Sequence, residues 1–230
     1  MGEKKVIVMS LGGSLIVPDE VNLKIINEFK RVVDKHKKNY KFVVVCGGGS
    51  IARKYIHALR KSGKSEFLQS LAGIAVTRVN ARFLTYFFGR DANEGIPQDM
   101  LQVKNLLKKN DIVFCGALRY SPDQTSDSTS AKLANFFNCD FVNLTLVSGL
   151  YTKNPLENKD AKFVPFISWK DFKKMIDKID FKPGQHFVLD QTAAEIILKN
   201  NIKTYILGSD MRNLDNFLSG KKFIGTVIDN

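Results

Sequence analysis

Residues 43–56 read Val43-Val44-Val45-Cys46-Gly47-Gly48-Gly49-Ser50-Ile51-Ala52-Arg53-Lys54-Tyr55-Ile56. Phe42 to Cys46 is short, nearly all apolar and β-branched, the pattern of a buried strand. Gly47, Gly48 and Gly49 follow at once, and then Ile51, Tyr55, Ile56 and Leu59 recur at helical spacing. A strand therefore feeds a glycine turn that opens a helix. A turn without Cβ atoms lets backbone N–H groups approach an anion closely. The helix N-terminus adds unpaired donors and partial positive charge. Arg53, in the first turn, can add a forked cation. Three glycines also serve simply as a tight turn, so both readings stand.

Working outward, Val6 to Leu11 is a second strand, closed by Gly12-Gly13-Ser14. Pro18-Asp19-Glu20 predicts a helix start, with Val21, Ile25, Phe29, Val32 and Val33 on its apolar face. Strand, helix and strand then form a unit that pairs its strands in parallel. Both glycine turns fall at carboxyl ends of strands, where open α/β sheets bind ligands. Glu66 to Phe88 predicts a long helix, with Phe67, Leu71, Ile74, Val79, Phe83 and Phe87 as its core side. Gly73, Thr77, Arg78 and Asn80 interrupt it, either lining a pocket or facing solvent. Further on come a helix at Gln98–Lys109, a strand at Asp111–Cys115, and a loop from Leu118 to Asp127 with Pro122, Asp123 and Thr125. Ser126 or Asp127 is expected to cap the helix through Lys132, Leu133, Phe136 and Phe137; alternatively Asp127 orients donors or holds Mg²⁺ indirectly. Then follow a strand at Phe141–Val147, a turn at Ser148–Tyr151, helices at Trp169–Ile179 and Asp190–Leu198, and strands at Thr204–Leu207 and Phe223–Ile228.

This alternation predicts α/β architecture: three αβα layers around a central, mostly parallel sheet of about eight strands, five to six of them parallel. All 230 residues are expected to form one domain, with an acceptor-side lobe over about 1–140 and a nucleotide-side lobe over about 141–230. Hydrophobic residues at 44% and charged residues at 25% exclude a disordered chain. The net charge of +12 favours anionic partners, but the lysines are scattered, so no nucleic-acid stripe is expected. Cys46, Cys115 and Cys139 lie in or beside apolar runs without metal spacing and read as free thiols in a reducing compartment. His36, His57 and His186 form no local ligand pair. No secretory signal, membrane span or resident protein metal site is expected, and the location expected is cytoplasmic.

In their order along the chain, these motifs resemble the amino-acid kinase superfamily, and within it the archaeal-type uridylate kinases. Gly12-Gly13-Ser14 is similar to the first family glycine turn, and Gly47-Gly48-Gly49 with Ala52-Arg53-Lys54-Tyr55-Ile56 to the second. Gly73-Ile74 with Thr77-Arg78-Val79-Asn80-Ala81 resembles the nucleoside-monophosphate helix. Thr125-Ser126-Asp127 resembles the family Thr-x-Asp. Gly149-Leu150-Tyr151, Asn154-Pro155 and Asp160-Ala161-Lys162 resemble the triphosphate segment. Val188 and Asp190 with Ala193-Ala194 resemble the start of the late helix.

The resemblance implies transfer of the ATP γ-phosphoryl group to UMP with Mg²⁺. It implies UMP contacts from Gly47, Gly48, Gly49, Arg53, Gly73, Thr77, Asn80 and Thr125. It implies ATP contacts from Gly12, Gly13, Ser14, Thr145, Tyr151 and Lys162, with Asp127, Gly12 and Gly48 around the reacting groups. A homo-oligomer, hexamer or dimer, is also implied. The chain departs from the family pattern at Ser10, Ser50, Asp123, Leu146 and Ser148, each time losing a charge or a polar group that phosphates use or changing a loop residue. Three alternatives follow: a superfamily kinase with another small acceptor, a kinase-fold binding or storage protein without turnover, and charge-driven nucleic-acid binding.

Overall fold

The computed structural model describes residues 4–121, 125–178 and 188–230. Pro122, Asp123, Ile179 and His186, all named above, lie outside them. The strands are β1 (Lys5–Leu11), β2 (Tyr40–Cys46), β3 (Ile112–Cys115), β4 (Phe141–Leu144), β5 (Leu150–Tyr151), β6 (Phe163–Val164), β7 (Phe166–Ser168), β8 (Thr204–Leu207) and β9 (Thr226–Asp229). The helices are α1 (Gly13–Ile16), α2 (Leu23–His36), α3 (Gly49–Lys61), α4 (Glu66–Phe88), α5 (Met100–Lys109), α6 (Ser126–Phe137), α7 (Trp169–Asp177), α8 (Gln191–Asn200) and α9 (Met211–Leu218).

The main sheet has seven strands in the order β3-β2-β1-β4-β8-β9-β7. The first five run parallel; β9 is antiparallel to β8, and β7 runs with β9. Alternate strand residues feed two core layers. Ile7, Met9, Phe42 and Val44 pack beneath α1, α2, α4 and α9. Val8, Val43, Val45 and Phe141 pack beneath α5, α6, α7 and α8. This is the expected three-layer αβα arrangement. β5 and β6 form a separate antiparallel pair instead of an eighth sheet strand.

Two expectations about helix faces need correction. Pro18–Glu20 is not helical; the Asn22 side chain accepts from the Ile25 N–H and starts α2 there. Val21 consequently lies outside the helix and is exposed, and Ile26 takes its place in the core. On α4 the predicted core row is largely turned outward: Phe67, Leu71 and Val79 are exposed, Val79 by 64%. The buried face holds Gln69, Val76, Thr77, Asn80, Ala81, Leu84, Thr85 and Phe88. Hydropathy alone misassigned the face because this helix turns polar groups inward to hold backbone at Gly47 and Ala117. Cys46 and Cys115 are buried and Cys139 is half-buried; all three are free. Burial pushes the thiols of Cys115 and Cys139 up to about 12, so they are inert.

Candidate active site

Register brings the strand ends level. Leu11 pairs with Cys46 on one side and Leu144 on the other, and Leu144 pairs with Leu207. Gly12, Gly47, Thr145 and Gly208, each next in sequence, therefore line one edge of the sheet. β1 sends the chain to β2 on one side, and β4 lies on the other. The gap between β1 and β4 is the switch point where doubly wound sheets bind ligands. A cleft opens there, lined by Gly12, Gly13, Ser14, Leu15, Thr145, Leu146, Val147, Leu156 and Val188.

The two glycine turns touch backbone to backbone. A Cβ on Gly13 would lie 2.0 Å from the Gly49 nitrogen, and one on Gly47 would lie 2.3 Å from the Gly13 nitrogen. Gly49 also has φ +64°, where side chains are strained. α3 begins within the glycine run, and its N-cap, Gly48, offers no side-chain cap. Arg53 donates from Nη1 to Ser14 Oγ at 3.3 Å and so bridges the two turns. Asn80 donates to the Gly47 carbonyl at 2.8 Å. Thr77 donates to the Ile74 carbonyl at 2.7 Å and accepts from the Ala117 N–H at 2.9 Å. Arg78 donates to the carbonyls of Ala117 and Leu118. The polar side of α4 thus supports the second glycine turn and the chain leaving β3. Gly73 faces Ile56 of α3 at 3.3 Å from a notional Cβ, a helix-packing position.

Asp127 does not cap α6. Thr125 does, accepting from the Asp127 and Ser128 N–H groups, while Ser128 completes the capping box. Asp127 instead accepts from Ser10 Oγ at 2.9 Å, two residues below the first glycine turn. Its carboxyl is pushed up to about 7, first by burial and then by Asp190, against the hydrogen bond from Ser10. Asp190 caps α8, accepting from the Ala193 N–H at 2.8 Å, and its other oxygen accepts from the Thr125 hydroxyl. Burial raises the Asp190 pKa, opposed by the hydrogen bond from Thr125 and then by N–H groups of α8.

The remaining predicted donor-side residues sit on the β5–β6 pair. Tyr151 packs edge-on against Phe163 at 5.4 Å. Lys162 is exposed, and its backbone pairs with Thr152. The loop between them sends Leu156 into the cleft. Thr226 anchors this pair to the sheet by accepting from the Leu150 N–H and donating to the Val164 carbonyl. Reasoning from sequence missed Leu156 and Val188 as cleft walls and Asp190 as a partner of the Asp127 cluster. The sequence offered Asp190 only as the first residue of the helix expected at Asp190–Leu198; in the structure it precedes α8 as its cap. Ser50 is 4% exposed, and its Oγ has no partner among the described residues.

Comparison with known proteins is consistent with this geometry. The model of the amino acid kinase family matches residues 5–208. The chain belongs to the amino acid kinase family. It is 33% identical to the uridylate kinase of Pyrococcus abyssi over 225 residues, covering 97% of this chain and 99% of that one. It is 32% identical to the uridylate kinase of Archaeoglobus fulgidus over 96% of this chain and 99% of that one. The crystal structure of that Archaeoglobus fulgidus enzyme superposes with a TM-score of 0.83 over 96% of this chain and 99% of that chain, at 33% identity. The UMP kinase of Ureaplasma parvum shares the fold, with a TM-score of 0.80 at 20% identity over the whole of both chains.

Proposed function

We propose that this chain is a nucleoside monophosphate kinase that transfers the γ-phosphoryl group of ATP to UMP, giving UDP. The observation that carries the reading is the pair of glycine turns in backbone contact at the ends of β1 and β2, beside the β1–β4 switch point, bridged by Arg53 and Ser14. Phosphoryl transfer needs two anionic groups brought together with little covalent chemistry from the protein, so positioning and charge neutralisation dominate. Glycine backbone permits the close approach, and Arg53 supplies a fixed cation on the acceptor side. The cleft beside Thr145 takes the donor triphosphate, and Tyr151 and Lys162 approach it from the hairpin. Gly12 and Gly48 flank the reacting groups. Asp127 fixes Ser10 beneath the first turn. Thr77, Asn80 and Gly73 act by shaping the acceptor pocket, since the Thr77 and Asn80 side chains already hold backbone. The acceptor side falls within about residues 1–140 and the donor side within about 141–230.

Among the described residues no group of three His, Cys, Asp or Glu side chains is placed to hold a metal. Mg²⁺ is proposed to enter on the triphosphate, where it would neutralise phosphate charge. The outward apolar row of α4, with Phe67, Leu71 and Val79, is the surface proposed to join copies into a dimer or hexamer. No helix among the described residues is long and apolar enough to cross a membrane, and the proposed location is the cytoplasm.

A kinase-fold binder without turnover is the second reading, motivated by the polar groups lost at Ser10, Leu146 and Ser148. ATP consumption against a panel of nucleoside monophosphates, with product identified, decides between them. UDP formed in preference to other diphosphates supports the proposal. Tight ATP or UMP binding without turnover supports the second reading, and light scattering measures the assembly.

A further inference from the structure

We propose that Asp190 is a positioning residue for the phosphoryl-transfer site, acting as the ionised partner that aims Asp127 through the Thr125 hydroxyl. This rests on the kinase reading for its catalytic consequence, but the linkage itself does not.

The argument is an accounting of hydrogen-bond capacity. The Thr125 hydroxyl has one proton and two lone pairs. The lone pairs take the Asp127 and Ser128 N–H groups at 3.1 and 3.2 Å. Its proton is left for Asp190, which accepts it. The other Asp190 oxygen accepts the Ala193 N–H at 2.8 Å. Both Asp190 oxygens are thus acceptors, the arrangement of a carboxylate. One side chain, 7% exposed, thereby ties together the first turns of α6 and α8, which lie 65 residues apart through the Thr125–Asp190 contact. Asp127 sits in the first turn of α6, so the direction of its side chain toward Ser10 depends on that tie.

Facing Asp127 are Ser10 from β1 and Asp190 from the start of α8. Ser10 is a hydroxyl, so no cation from β1 offsets the Asp190 charge. The pair is therefore asymmetric: Asp190 ionised and Asp127 holding the proton near neutral pH. A protonated Asp127 adds no negative charge beneath the first glycine turn, where phosphates are proposed to sit.

The test compares the parent with Asp190→Asn and Asp190→Ser. Serine keeps a helix cap but loses both the charge and the reach to Thr125. Infrared difference spectra between the parent and Asp127→Asn follow the Asp127 carboxyl from pH 4 to pH 9, without any turnover. The expected midpoint lies near neutrality in the parent and about one unit or more lower in each Asp190 variant. In an assay with ATP and UMP, kcat is expected to fall at least about tenfold in both variants, with KM for UMP within about threefold. Serine at 190 should melt close to the parent. An unchanged midpoint in the variants overturns the linkage. Variants that lose thermal stability in proportion to activity, with the midpoint unmoved, make Asp190 a cap alone. If neither variant folds, a parent midpoint at the ordinary carboxyl value of about 4 still overturns the asymmetry. A parent without UMP kinase activity but with a shifted midpoint leaves the linkage standing and removes the kinase reading.

Discussion

The two sides of the candidate site are built from different materials. On the acceptor side, the glycine turns meet at backbone distance; Asn80 holds the Gly47 carbonyl, Arg53 reaches the Ser14 hydroxyl, and Thr77 and Arg78 hold the chain at Ala117–Leu118. On the donor side, the β5–β6 pair is two residues long on each strand, rests on Thr226, and carries an exposed Lys162. An added Cβ meets backbone where the glycine turns cross, at Gly13 and Gly47, whereas at Gly149 beside the β5–β6 pair it first meets side chains, those of Phe163 and Thr226. Preorganised backbone suits the place where two phosphates must be forced together, since its cost is met on folding rather than on binding.

The harshest way to break this contrast is an added methyl group. Gly13→Ala places a Cβ 2.0 Å from the Gly49 nitrogen, so the turns must part. It should lower Tm by the equivalent of at least about 3 kcal/mol and remove activity. Gly149→Ala, at 2.7 Å from the Phe163 ring and Thr226 Oγ1, should cost less and keep measurable turnover. Equal losses would erase the distinction between the two sides.

Next in size is the effect of Asp127. Its carboxyl holds a proton up to about pH 7 in the fold, whereas an unfolded chain releases it near about 4. Its raised pKa therefore favours the fold most below about pH 4, and that advantage is lost as pH rises through 7. Asp127→Asn should melt like the parent at pH 4. At pH 8 it should gain stability, on the order of 4 kcal/mol, while losing kcat. Denaturant melts at both pH values measure this; a variant less stable than the parent at pH 8 would show that the buried charge is compensated.

Arg53→Ala sharpens the acceptor assignment. Losing its charge-assisted hydrogen bonds, about 1.5–3 kcal/mol, should weaken UMP binding roughly ten- to hundredfold and leave Mg²⁺–ATP binding nearly unchanged. Calorimetric titration with each ligand reports it, and a larger loss for ATP would reverse the assignment. The smallest expected effect is Lys162→Ala. An exposed lysine should change stability by less than about 0.5 kcal/mol, yet KM for ATP should rise severalfold. An unaltered KM would take Lys162 out of the donor site.

The positions of the main strands and the glycine junctions were legible because local chemistry sets them: β-branched runs ending in glycine have few alternatives. The limits of α4 were equally plain, with Ser65 capping its start and Gly89 at φ 63° ending it. The face of α4 was not legible. Its Thr77 and Asn80 are buried by partners more than 30 residues away, and no periodicity encodes them. β7, only three residues long, and α9 were also missed. Asp127 illustrates the same limit: its hydroxyl partner, Ser10, is 117 positions distant, so a cap was the nearest local explanation.

The reversed end of the sheet has a consequence for synthesis on the ribosome. β7, at 166–168, pairs in the sheet only with β9, at 226–229. The five parallel strands can assemble once β8 has emerged, but β7 must wait with an open edge until β9 arrives and slots between it and β8. That interval exposes unpaired strand backbone to neighbouring chains. A nascent chain stalled between residues 208 and 225 should therefore be the form that most needs a chaperone.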